Sequence, residues 1–149
     1  MSDAQQSMMV GLMTRLTGDS DFNTAIGGSA GTAGRIYDGW PPETDDSADD
    51  PFDSVPAPFA IVTVVADDDV LSFPADDIDA DIQIDIYAKL DLGATALRVI
   101  GGDLYDRLHG ATLTVSGYSV GEGQSRSRGS VEQDGRLLRL STGYNIKAS

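Results

Sequence analysis

From residue 78 to residue 88 an aliphatic side chain occupies every second position, and Asp79, Asp81, Gln83, Asp85 and Tyr87 fill the positions between. That two-residue period belongs to a β-strand with one buried and one wet face. The wet face is unusual. Three aspartates on one strand face repel one another, and aspartate is a residue that strands avoid. Such a strand needs neighbours on both sides of its apolar face and an explanation for its acidic one.

The surrounding sequence supplies the neighbours. "PFAIVTVVA", residues 58 to 66, reads as a buried strand that is apolar on both faces except at Thr63. Asp67, Asp68 and Asp69 read as a solvated turn, and "VLSF" begins a further strand before Pro74, so residues 58 to 89 form an antiparallel hairpin or meander. Ser2 can cap a first helix running to Leu16, with Met8, Met9, Leu12, Met13 and Leu16 on one side and Gly18 at its end. The three methionines on that stripe are core residues before they are a plastic binding surface. A second helix spans residues 92 to 109, with Leu97, Ile100, Leu104 and Leu108 at spacings of three and four and Gly110 as its stop. Gly101 and Gly102 inside it lower helix propensity and imply a kink or a close packing contact. Three short strands follow near residues 111 to 115, 118 to 123 and 135 to 146, the last preceded by the turn pair Asp134 and Gly135.

These elements predict a single α+β domain over residues 1 to 149. Its antiparallel-rich mixed sheet has two helices packed on one face, and the wet face of the alternating strand points away from them. A Gly-, Pro- and Asp-rich loop, most acidic at about residues 38 to 57, interrupts the pattern, with a short strand around residues 35 to 37. A loop of this length inside one domain is uncommon. It is expected to contact neighbouring molecules in an assembly and to be poorly ordered in a free monomer.

Charge limits the partners. The chain holds 24 acids, 21 of them Asp, against 10 bases, for a net charge of −14. Tight binding to nucleic acid is disfavoured, because too few Lys and Arg are present to replace phosphate counterions. An Asp-rich, Lys-poor surface suits molar salt, where repulsion is screened within about 3 Å. There is no cysteine, so disulfides and thiolate metal sites are excluded. The run at 59 to 66 is far shorter than the roughly 20 residues of a membrane helix, and the first residues lack a basic-then-apolar signal. A soluble protein made in the cytoplasm, with no membrane partner, is expected. Residues 38 to 91 carry sixteen acids and one base, a net −15, whereas residues 123 to 149 carry five bases and two acids, a net +3. If those halves lie on opposite flanks, copies attract head to tail, and such a contact closes into a ring or runs on as a filament.

No catalytic, cofactor-binding or metal-binding residues emerge. Counting an EF-hand loop from Asp45 puts Asp50 where Gly is required and Pro56 where Glu is required. "GGSAGTAG" lacks the Gly-Lys-Ser/Thr ending of a phosphate-cradling loop and reads as a flexible segment. His109, the only histidine, ends a helix, a position that suits its charge better than base catalysis. Carboxylates are so plentiful that a pair at glycosidase spacing means little. Trp40 either covers a core edge or, with Pro41 and Pro42, anchors a neighbour. Arg126 and Arg128 alternate along an extended segment, which puts both guanidiniums on one side, ready to pair with a neighbour's carboxylates or simply solvated.

In order, the first helix, "RIYDGWPP", "PFAIVTVV", "IQIDIYAK", "ATALRVIGGDLYDRLHG" and "DGRLLRLSTGYNI" resemble the tail terminator, or tail completion, proteins of long-tailed bacterial and archaeal viruses. The resemblance covers most of the chain. Its acid content and long Asp loop depart from the usual members and suggest a virus of a salt-loving archaeon. What the resemblance implies is a non-enzymatic virion protein, assembled in the host cytoplasm. Six copies, as a rule, form a ring on the head-proximal end of the tail tube, stop its growth and dock to the neck. Its partners are then other copies of itself, the tail tube protein and a neck or head-completion protein, and the genome DNA passes without tight binding. Asp79, Asp81 and Asp85 would line the channel or the outer surface. Alternatives are a head-side connector ring, a cation-binding acidic module on residues 45 to 53 and 67 to 69, and a small hydrolase using His109.

Overall fold

The alternating stretch is the middle strand of the sheet. The computed structural model describes residues 3–18, 20–29, 31–42, 44, 47, 52, 54–69, 78–115 and 119–148. In chain order the elements are α1 (Asp3–Leu16), α2 (Asp21–Ala25), β1 (Ile36–Asp38), β2 (Phe59–Asp69), β3 (Ile78–Lys89), a 3₁₀ turn (Leu90–Leu92), α3 (Ala94–Leu108), β4 (Gln124–Asp134) and β5 (Leu137–Ala148). The sheet order is β1-β2-β3-β5-β4, with β1 parallel to β2 and every other neighbour antiparallel. The expected α+β fold with an antiparallel-rich mixed sheet is what forms.

Strand β3 occupies the centre because its apolar set is served from both sides. Ala80, Ile82, Ile84, Ile86 and Ala88 share a face with Ala60 and Val62 of β2 and with Leu140, Tyr144 and Ile146 of β5, all buried. The helices close this face. Met8, Met9, Leu12 and Leu16 of α1, Phe22 of α2, and Leu97, Ile100, Leu104 and Leu108 of α3 join the same core cluster. Burying side chains of this size contributes roughly 1.5–3 kcal/mol each. The α3 glycines resolve as a close approach: a Cβ on Gly101 would stand 2.4 Å from Leu140 Cδ2. The two long helices are cross-tied at their C-terminal ends, where Arg15 Nε donates to Arg107 O at 3.1 Å and Arg107 Nε donates to Arg15 O at 2.8 Å. Each guanidinium also meets the negative end of the other helix.

Several expectations give way. Asp67, Asp68 and Asp69 are strand rather than turn, since their backbone pairs with Ala80, Asp79 and Ile78. The second helix starts at Ala94, behind the 3₁₀ turn, because Gly93 at φ 88 separates the two. Residues 111–115 and 119–123 form no strands and contribute only the isolated bridges Thr112–Glu122 and Val120–Ala148. Where the sequence predicts only an extended segment around Arg126 and Arg128, the eleven-residue strand β4 forms. Its sequence is polar, and it becomes a strand through its ladder with β5 and the Asp134–Gly135 hairpin, with Gly135 at φ 62. The short helix α2 is also additional; its buried Asn23 receives Gly34 N on Oδ1 at 2.6 Å and donates to Thr32 O at 3.0 Å. That side chain organises part of the Gly-rich run read as flexible. Ser2 and the "VLSF" segment lie outside the described residues.

Candidate functional site: the open sheet face and its flanks

The acidic side of β3 faces away from the helices, as expected, but only half of it is wet. At the Tyr87 end a second apolar cluster forms from Phe59, Ile61, Tyr87 and Leu137, roofed by Val55 with Phe52 and Ala57. Tyr87 stacks on Phe59 at 5.0 Å, and Phe52 lies 5.2 Å from Tyr87. Burial, reinforced by Asp85, holds the Tyr87 phenol above its ordinary range against the opposing pull of Arg139. Trp40 leans on the outside of this roof, 5.4 Å from Phe52, and remains 64% exposed. Pro41 is buried and Pro42 exposed.

At the other end the face opens into a basin of about 520 Å³, lined by Asp79, Asp81, Gln83, Arg126, Ser141 and Asn145 among others. Here the repulsion between aspartates has its answer. Asn145 lies opposite Asp81 in the β3–β5 ladder and is only 4% exposed. Its Nδ2 donates to Asp79 Oδ1 at 2.5 Å and to Asp81 Oδ1 at 2.9 Å, with Ala80 O at 3.4 Å between them. Gln83 Nε2 donates to both oxygens of Asp85, at 3.0 and 3.1 Å. Each carboxylate therefore receives an amide proton, and such charge-assisted bonds are the stronger kind. Sequence reasoning named Asp79, Asp81 and Asp85 but not Asn145. Only the β3–β5 register reveals Asn145, and no local turn fixes that register.

The two arginines do not share a side. A bulge between Ser125 and Ser127 makes Arg126 the extra residue of β4 and breaks the alternation that would have aligned it with Arg128. Arg126 lines the acidic basin. Arg128 turns to the helix side, its guanidinium carbon 4.5 Å above the Tyr105 ring. Tyr105 in turn stacks on His109 at 4.6 Å, and His109 Nδ1 accepts from Ser125 N at 3.1 Å. The histidine is thus spent on anchoring the start of β4. Beneath this cluster, Tyr144 is 1% exposed and its hydroxyl has no hydrogen-bond partner among the described residues. Burial pushes its phenol up to about 12, outweighing the nearby Thr142 and Arg128.

The acidic and basic stretches of the sequence meet within the sheet: β2 and β3 come from the stretch with net −15, β5 and β4 from the stretch with net +3, and β3 pairs directly with β5. Among the described residues no three His, Asp or Glu side chains converge to hold a metal ion. None of the described helices is long and apolar enough to cross a membrane.

No family model and no curated protein matches this sequence. The fold, however, has a solved counterpart. A chain in the structure of the virion of a native gene transfer agent particle superposes with a TM-score of 0.73 at 13% sequence identity. The match covers 99% of this chain and 98% of that one. At such low identity the likeness speaks for the fold.

Proposed function

We propose that this chain is a structural protein of a virion, and that its copies close into a ring, of six by resemblance, on the head-proximal end of a tail tube. The ring ends tube growth and joins the tail to the neck. The observation that carries this reading is the superposition on a virion chain over 99% of this chain and 98% of that one. Charge segregation along the sequence supports it: residues 38 to 91 carry net −15 and residues 123 to 149 net +3, so unlike stretches of neighbouring copies attract. In this reading Arg126 and Arg128 serve the basic side of the contact, and Trp40, Pro41 and Pro42 serve the acidic side. Asp79, Asp81 and Asp85 face the channel, where carboxylates repel DNA phosphates and let the genome slide. The work is geometric, with no bond made or broken.

The test is mass and place. Light scattering in molar salt, with and without purified tail tubes, should give a closed oligomer that binds tube ends. Imaging of particles labelled on this chain should put the label between head and tail. A label on the head side of the neck would reassign the ring to head completion, and absence from particles would end the reading.

A further inference from the structure

We propose that the groove between α1 and β1 receives the opposite flank of a second copy, formed by the outer side of α3 and the edge strand β4. This rests on the ring reading and identifies the surfaces that close it. The groove measures about 510 Å³ and is lined by Met9, Val10, Met13, Thr17 and Asp38 among others. Val10, Met13 and Thr17 recur at helical spacing along the rim of the core: Met13 is half-buried and packs against the core cluster, and Val10 is 61% exposed. The polar groups here are largely spent: Thr14 Oγ1 donates to Val10 O and Thr17 Oγ1 to Met13 O, each at 2.8 Å. What remains is methyl and thioether surface with the exposed Gln6 amide and the Asp38 carboxylate beside it. Such a surface adapts to an apolar guest, and Asp38 asks that the guest bring a cation.

The same chain carries that combination on its other flank. Helix α3 packs on β3, β4 and β5 and turns Thr95, Val99 and Gly102 outward, with Val99 60% exposed and open space in front of Gly102. Arg98 is exposed beside Val99. Next to them runs β4, exposed along most of its eleven residues, with no described strand beyond it. Long open edges invite pairing and are usually covered. Because β1 and β4 are the two edges of the sheet, groove and guest face opposite ways within one molecule. A contact between unlike surfaces of identical copies propagates in one direction and closes into a ring when the rotation allows. In this contact Asp38 of one copy is set against Arg98 of the next.

The chain has no cysteine, so single cysteines report the contact cleanly. Val10→Cys and Val99→Cys proteins, mixed in molar salt under mild oxidation, should give a mixed disulfide dimer, while each alone gives little. Asp38→Arg or Arg98→Asp should each weaken assembly about tenfold, and mixing the two charge changes in one chain should restore it. All four positions are exposed, and circular dichroism verifies that each variant is folded. An oligomer that forms normally in the Asp38→Arg and Arg98→Asp proteins, or a Val10→Cys protein that crosslinks to itself, overturns the proposed contact and leaves the ring standing. A wild-type protein that is monomeric in molar salt and ignores tail tubes overturns both.

Discussion

Asn145 is the side chain on which the acidic strand most depends, and its replacement gives a quantitative test. Its amide bridges Asp79 and Asp81, so the two acceptor oxygens lie within 5.4 Å of each other. Unit charges at that separation repel by about 3 kcal/mol at an effective dielectric of about 20, and by about 0.8 kcal/mol in bulk water. Asn145→Leu keeps the volume and removes both donors. Hydrogen bonds to charged groups contribute roughly 1.5–3 kcal/mol each. Asp81 is exposed and recovers much of its loss from water, whereas Asp79 and Ala80 O are more enclosed. The expected cost is therefore about 2–3 kcal/mol, or roughly 4–12 °C in melting temperature for a domain of this size.

A second variant separates hydrogen bonding from charge. Asn145→Asp removes the donors and adds a third carboxylate to the same site. Its cost should exceed that of the Leu variant by about 1–3 kcal/mol at 0.01 M salt, where the screening length is about 30 Å, and the excess should fade at 1 M, where it is about 3 Å. The assay is urea unfolding followed by circular dichroism at both salt concentrations, with unchanged m-values as the check on two-state behaviour. A loss below about 0.5 kcal/mol in the Leu variant, or identical salt dependence in the two variants, would refute the bridging role.

Three further outcomes follow from the same contacts. Tyr144→Phe removes a buried hydroxyl that has no well-formed hydrogen bond among the described residues and should stabilise the fold by about 1 kcal/mol at neutral pH. It should also reduce alkaline sensitivity: with the phenol near 12 in the fold and near 10 unfolded, the native protein weakens as pH rises from about 10 to 12, and thermal melts across that window should show the loss shrinking in the Phe variant. His109→Ala deletes the acceptor for Ser125 N, so hydrogen exchange at the Ser125 amide should quicken while amides in the middle of β3 keep their protection. Trp40 is the sole tryptophan and is mostly exposed, so ring closure over its loop should shift its emission to the blue and cut iodide quenching; unchanged emission in a proven oligomer would remove Trp40 from the interface.

How much of this was legible depended on whether the determining interaction was local. The stripe on α1, the alternation of β3 and the Asp134–Gly135 turn are set by neighbours in sequence, and each forms where periodicity placed it. Strand β4 is the contrary case. Beyond the alternation at Arg126 and Arg128 its sequence is polar, and its conformation is imposed by β5 across the hairpin, with two bulges in the ladder. One of those bulges reverses the expected placement of Arg126 and Arg128. The site shows the same division. The three aspartates were visible as an anomaly, but their remedy, Asn145, sits 64 and 66 residues away and is found only through the β3–β5 register. Sequence reasoning thus located where the fold is electrostatically stressed and missed what relieves the stress. Under the proposed function, bonds to Asn145 and Gln83 hold these carboxylates in orientation beside a basin that Arg126 also lines, and the excess of acid over base there is what would repel an anionic polymer.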